Sequence, residues 1–282
     1  MVSMNKLTTD KRCQVIRALV EGNSIRSTVR MTSVAKNTIV KLLAEVGRVC
    51  AKYQNKVMQN LACESLQVDE IWSFCGMKEK TVPEEKRGQM GIGDVWTWTA
   101  IDAETKLVPC WHVGKRELED AYLFIGDLAG RLANRVQLTS DGLKVYVKAV
   151  REVFGKEGID YAMLAKMYGS DPRDDRKYSP AVCIDCQKKP VFGNPDPEKI
   201  STSFVERQNL TMRMSMRRFT RLTNAFSKKL ENLEHAIALH FMYYNFARVH
   251  QTLRMTPAMK AGVADHLWTV EEIVALLDRP SN

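Results

Sequence analysis

The chain has 282 residues, 45% hydrophobic and 27% charged, which excludes a low-complexity or disordered polypeptide and permits one large domain or two smaller ones with real cores. A net charge of +9 favours a polyanionic partner, nucleic acid first. Seven scattered cysteines exclude a disulfide-stapled scaffold; with no signal peptide and no bilayer-long apolar run, a reducing cytosol and no membrane partner are expected.

Residues 7–47 predict three short helices. LTTDKRCQVIRALVEG carries Val15, Ile16, Leu19 and Val20 at helical spacing and stops at Gly22. SIRSTVRM starts a second helix near Ser24. TSVAKNTIVKLLAEVG predicts a third, capped by Ser/Thr, with Val34, Ile39, Leu42, Leu43 and Val46 on one face and Gly47 as its end. This is the helix-turn-helix pattern. Its exposed residues would be Arg30, Lys36, Asn37, Thr38 and Lys41, types that reach base edges and phosphates. A plain three-helix packing unit would give the same spacing. The balance of 11 Lys/Arg against 4 Asp/Glu in residues 1–64 favours DNA.

Residues 48–64 continue as helix toward a second domain. SLQVDEIWSF reads as a strand, KEKTVPEEKRGQMG as a polar loop, and DVWTWTAID with KLVPCWHVG as a hairpin. RELEDAYLFIGDLAGRLAN is an amphipathic helix, RVQLTSDG a strand, LKVYVKAVREVFG a helix and YAMLAKMYG a strand. The polar stretch 169–200 reads as irregular. Helices follow at 202–220, roughly 224–250 and 269–278. The order predicts an α/β fold, a mixed sheet with helices on its faces.

Three acids fall where these elements hand over. Asp69 lies in QVDEIW, Asp141 directly after the fourth strand, and Glu206 on the first turn of a late helix. Each has an ordinary explanation alone: a surface pair with Glu70 on an edge strand, a Ser-Asp-Gly turn, a first-turn acid favoured by the helix dipole. Together, between two basic blocks, they favour one metal site at a sheet edge. Converging carboxylates need compensation, and two hard divalent cations, Mg²⁺ or Mn²⁺, supply it for phosphoryl transfer. Asp94 and Asp102 fall at hairpin ends, away from this site. The CIDC pair, Cys183 and Cys186, lacks a second ligand pair, so no zinc is expected.

Residues 207–230 hold 7 Lys/Arg and no acid. On a continuous helix Arg213 and Arg217 return to the face of Glu206, while Val205, Met212, Met216 and Phe219 fall on a sheet-packing face. Arg213, Arg217 and Arg218 are candidate phosphate contacts; Arg221 extends the block.

VDEIWSF, LTSDGLKVY and STSFVERQNLTMRMSMRRFTR resemble the D-D-E transposases of bacterial insertion sequences, the first-named family most of all. The likeness spreads over about 65–250, with the basic helix followed by TNAFSKKLEN. It implies an RNase-H-like core and a two-ion site of Asp69, Asp141 and Glu206. It also implies cleavage and joining of the element's DNA ends in a homodimer or higher synaptic oligomer, and a cytoplasmic, nucleoid-associated location. Arg207, Asn209 and Arg213 match the family's helix. The cysteine zinc motif that relatives often carry near their start is missing, so end recognition falls to the helix-turn-helix.

The expected layout is a helix-turn-helix domain at 1–50, a helical linker at 51–64, an RNase-H-like catalytic domain at 65–225 with 169–200 as an irregular insertion, and a helical extension at 226–282. Two other functions stay open: a non-catalytic DNA-binding regulator derived from a transposase, and an RNase-H-type nuclease.

Overall fold

Side-chain caps open the first two helices where the sequence places them. Thr8 Oγ1 accepts from the Lys11 amide at 3.3 Å ahead of α1 (Thr9–Val20), and Ser24 Oγ from the Ser27 amide at 3.1 Å ahead of α2 (Ile25–Thr32). The computed structural model describes residues 7–169, 182–220 and 223–279.

The third helix, α3 (Lys36–Val57), departs from expectation at both ends. Its cap is Ala35, with no side-chain bond, because the preceding hydroxyls serve the turn. Ser33 adopts the left-handed conformation at φ 59°, and Thr32 Oγ1 donates to the Thr28 carbonyl at 2.7 Å. Gly47 does not stop the helix. It lies where α7 (Leu230–Met242) crosses, and a Cβ there would sit 2.4 Å from the His235 carbonyl oxygen. The missing side chain is a condition of the helix crossing.

Six strands form one mixed sheet in the order β3–β2–β1–β4–β5–β6. β1 (Ser65–Cys75) pairs antiparallel with β2 (Gly93–Asp102), and β2 antiparallel with β3 (Trp111–Gly114). β4 (Gln137–Ser140) and β5 (Asp160–Gly169) are parallel to β1. β6 (Val182–Phe192) closes the sheet antiparallel to β5 and corrects the irregular reading of 169–200. Its described residues are largely exposed and it contains Pro190, so it has no alternating apolar pattern; an edge strand tolerates both features. Residues 170–181 of that stretch lie outside the described residues.

Helices cover both faces. α4 (Leu118–Arg131) and α5 (Lys144–Phe154) bury Phe124, Leu128, Tyr146 and Val150 in one cluster with Trp98 and Val68. α6 (Ser203–Ser215) and α7 bury Val205, Met212, Ile237 and Phe241 with Ile71 and Val95 on the other face. The first cluster extends without a break to Ile16 and Ile39 of the N-terminal helices. Two short helices, α8 (Pro257–Lys260) and α9 (Val270–Ala275), complete the chain.

The expected helix over 202–220 ends early. Met216 is extended, at φ −134° and ψ 106°, and a single 3₁₀ turn, Arg217–Phe219, follows. Residues 224–229 are not helical either: Ser227 bridges Cys75 at the end of β1, and its carbonyl accepts from the Gly76 amide at 2.8 Å.

Gly47→Ala is therefore expected to destabilise the fold by about 1–3 kcal/mol, the cost of overpacking. Gly126→Ala, on an α4 position with nothing within 4 Å of the new Cβ, should be neutral or stabilise by about 0.5–1 kcal/mol. Urea midpoints at equal m-values check both.

Candidate active site

Unequal strand lengths create the site. β4 pairs with β1 only from Ser65 to Val68, and with β5 only from Asp160 to Met163; both neighbours continue past its end. A slot opens between them. Asp69 is the first β1 residue beyond the paired stretch, and Asp141 is the first residue after β4.

Each carboxylate is oriented. Asp69 Oδ1 accepts from the Glu70 amide at 2.8 Å and Oδ2 from Asn209 Nδ2 of α6 at 2.8 Å. Asp141 Oδ1 accepts from the Leu143 amide at 2.9 Å, a local turn that fixes the side chain. Glu70 Oε1 accepts from Arg116 Nε at 2.6 Å, and Oε2 from the Tyr146 hydroxyl at 3.0 Å. Arg116 also approaches Asp141, with Nη2 3.7 Å from Oδ2. Asp69, Glu70 and Asp141 each offer an oxygen, all within 4.8 Å of one another.

Burial and like charge then act together. Asp69 is pushed up to about 7, first by loss of hydration, then by the charges of Glu70 and Asp141, with Glu206 adding to them. Asp141 is also raised, by burial and by the charge of Glu206, against the Leu143 amide and Arg116. Glu70 is raised by burial and by Asp141, against Arg116 and the Tyr146 hydrogen bond.

The structure thus brings Asp69 and Asp141 together and sets Glu206 beside them. Glu206 stands on the first turn of α6, near enough for its charge to act on both aspartates. Its carboxylate accepts from the Lys166 ammonium of β5 and from Thr202 Oγ1 at 2.5 Å, and it lies outside the 4.8 Å group.

Glu70 is not a surface residue on an edge strand. β1 lies inside the sheet and Glu70 is buried. The signal was in the strand itself: Glu70 shares the phase of Leu66, Val68, Trp72 and Phe74, the apolar phase of the strand. Arg116, which balances its charge, and Tyr146, which donates a hydrogen bond to it, gave no chemical signal alone. Asp94 and Asp102 stand at the two ends of β2, as expected.

The basic residues divide. Arg207 and Arg217 are exposed. Asn209 is buried against Asp69, and Arg213 Nη1 donates to the Phe219 carbonyl at 3.1 Å. Arg218 donates to Ser227 Oγ at 2.6 Å, and burial lowers its pKa to about 10. The face shared by Glu206, Arg213 and Arg217 breaks at Met216, so Arg217 does not continue it. Arg221 lies outside the described residues. In the N-terminal helices Arg30, Lys36, Asn37 and Lys41 are exposed and Thr38 is half-buried. Lys36 and Asn37 line the same cleft as Arg217 and Arg218, about 1070 Å³ in volume, which also takes in Arg26, Lys228 and Lys229 and no acidic residue. Cys183 and Cys186 are exposed on β6 with their sulfurs 3.4 Å apart.

No family model matches the sequence, and no curated protein does. Among solved structures, a cryo-EM structure of the piggyBac transposase synaptic complex with hairpin DNA aligns with 98% of this chain and 73% of its own, at 10% identity and a TM-score of 0.41. A likeness that remote carries no functional argument. Among the described residues no helix is long and apolar enough to cross a membrane.

The donor set suits a hard divalent cation: aspartate oxygens in a partly buried slot, with more negative charge than Arg116 balances. Because Asp69 moves from an ordinary 3.8 to about 7, the folded state holds protons that the unfolded chain has released. Metal-free stability should therefore fall as pH rises from about 4 to 7 and level off above, Asp141 and Glu70 adding in the same direction. Asp69→Asn should flatten that slope, and Mg²⁺ should raise the melting temperature more at pH 8 than at pH 5. Thermal melts across pH, with and without Mg²⁺, check each expectation.

Proposed function

We propose that the chain is a transposase, a metal-dependent enzyme that cuts and joins DNA strands on an RNase-H-like core. The observation that carries this reading is the convergence of Asp69 and Asp141 in the slot beyond β4, where burial and like charge hold Asp69 up to about 7. Asp69 and Asp141 would hold Mg²⁺ or Mn²⁺, and Glu206 would complete the set once released by Lys166. Two ions bound there supply an activated water or 3′-hydroxyl and stabilise the leaving oxyanion.

The chain's own groups prepare that chemistry. Asn209 fixes the Asp69 carboxylate, and the Leu143 amide fixes Asp141. Arg116, held by Glu70, keeps positive charge at the slot in the absence of metal. Arg207 and Arg217 are the exposed arginines available to phosphates, while Asn209 holds Asp69, Arg213 holds the Phe219 carbonyl and Arg218 holds Ser227. The motif resemblance supports an insertion-sequence source. The left-handed turn at Ser33 between α2 and α3 supports a helix-turn-helix, with Arg30, Lys36, Asn37, Thr38 and Lys41 as its DNA-facing residues. Element-end DNA, target DNA and a homo-oligomer are the proposed partners.

The test is cleavage and joining of duplexes taken from the DNA flanking the coding sequence, with Mn²⁺. Asp69→Asn, Asp141→Asn and Glu206→Gln should each lower cleavage by about a hundredfold or more, the scale of losing one preorganised electrostatic group. Equal activity in wild type and Asp141→Asn would sink the reading. Cleavage without joined product would identify a nuclease, and tight binding without cleavage in any form a regulator.

Recognition separates from catalysis. Asn37→Ala should reduce the preference for the flanking duplex over random duplex by roughly 5–150-fold, the range for one good base contact. Lys41→Ala should weaken binding to both and reduce the salt slope by about 1. Salt-dependent anisotropy titrations check the two effects.

A further inference from the structure

Beyond the carboxylates, on the sheet face that carries Glu70, runs a line of aromatic rings whose one-sided exposure core packing leaves unexplained. Trp72 and Phe74 follow Glu70 at alternate positions of β1, and Trp96 of β2 stands directly opposite Trp72. Trp72 and Phe74 lie 5.8 Å apart, and Phe226, from the segment alongside the end of β1, lies 4.6 Å from Phe74. Trp72, Trp96 and Phe226 are only half-buried, whereas Trp98, one step back along β2, is fully covered by Phe124 and Tyr146. The helices that seal the sheet at Trp98 do not seal it here.

Cations accompany the rings. Lys78 lies 5.9 Å from the Phe74 ring centre and Lys228 3.1 Å from that of Phe226. Arg116, which contacts both Glu70 and Asp141, lies 4.8 Å over Trp96, so the line starts at the carboxylate slot. At its far end an open groove of about 480 Å³ is walled by Phe74 and Phe226, with Lys78, Thr81 and Asn224 at its rim. Half-exposed rings interleaved with cations suit a strand whose bases stack and whose phosphates need pairing. A paired duplex hides its base faces, and a peptide would not call for this charge.

We propose that this line is a stacking track for unpaired nucleotides of a DNA strand leading to the carboxylate slot. Bases pack on Trp72, Trp96 and Phe226, and Lys78 and Lys228 turn from the ring faces to the phosphates. The track rests on the DNA-processing reading for the source of the strand, but its binding needs no metal and no chemistry.

The experiment measures affinity of the full chain, without divalent metal, for an oligothymidylate and for an abasic strand of the same length. Wild type should bind the base-bearing strand roughly tenfold more tightly and show tryptophan quenching with it alone, since stacking on an aromatic side chain is sensitive to loss of the base. Trp72→Ala and Phe226→Ala should erase that difference while leaving abasic affinity unchanged. Trp72→Phe and Phe226→Tyr, which keep a ring, should restore most of it and also serve if an alanine variant fails to fold. Equal wild-type affinity for the two strands, or equal weakening of both by the ring deletions, would overturn the track. A base preference that persists in Asp141→Asn alongside unchanged cleavage would overturn the catalytic reading and leave the track standing.

Discussion

Carboxylates crowded into one partly buried slot are the constraint to which the neighbouring elements answer. Alone they would repel one another and lose hydration, and both effects raise the pKa of Asp69. The protein meets them with partners drawn from different parts of the chain. Arg116, ahead of α4, and Tyr146 of α5 satisfy Glu70; Asn209 of α6 holds Asp69; Lys166 of β5 holds Glu206. The compensation is incomplete, because Arg116 serves two acids and Asp69 receives only neutral donors. An incompletely neutralised cluster at a strand end is a receptor for positive charge.

The slot itself follows from sheet geometry. A four-residue β4 between an eleven-residue β1 and a ten-residue β5 leaves unpaired strand edges above its end. Above the site, the 223–229 segment takes part of that edge through Ser227, and the same segment supplies Phe226 and Lys228. The two sheet faces then take different roles. Asp69 faces α6 and the packed cluster of Ile71 and Met212, a rigid setting for its carboxylate. Glu70 begins the other face, which opens from the covered Trp98 to the half-exposed Trp72 and Trp96.

Element type was legible where periodicity and caps agreed. The second helix opens at Ser24, the β1 and β2 patterns hold, and Val205, Met212, Met216 and Phe219 are buried as their spacing implied. Asp141 was legible because it ends a strand signal; Asp69 lies within β1, and only the end of the β4 pairing at Val68 sets it beside Asp141. What escaped depends on contacts remote in sequence. Gly47 reads as a stop unless the crossing of α7 is known. β6 has no apolar phase because an edge strand needs none. The end of α6 at Ser215 follows from burying Met216 and Phe219 together, which a continuous helix through basic residues would not reveal.

Glu206 shows why such a site is only partly written in local pattern. Its place on the first turn of α6 was readable, and it stands beside the aspartates. Its ion pair with Lys166 was not, since β5 and α6 lie 40 residues apart at that contact. The pairing has a physical logic without metal: a fourth carboxylate turned into the slot would add to the repulsion already acting on Asp69. Held by Lys166 and Thr202, it remains within electrostatic reach while its charge is balanced. On the metal-site reading proposed above, a cation in the slot would compete with Lys166 for that carboxylate.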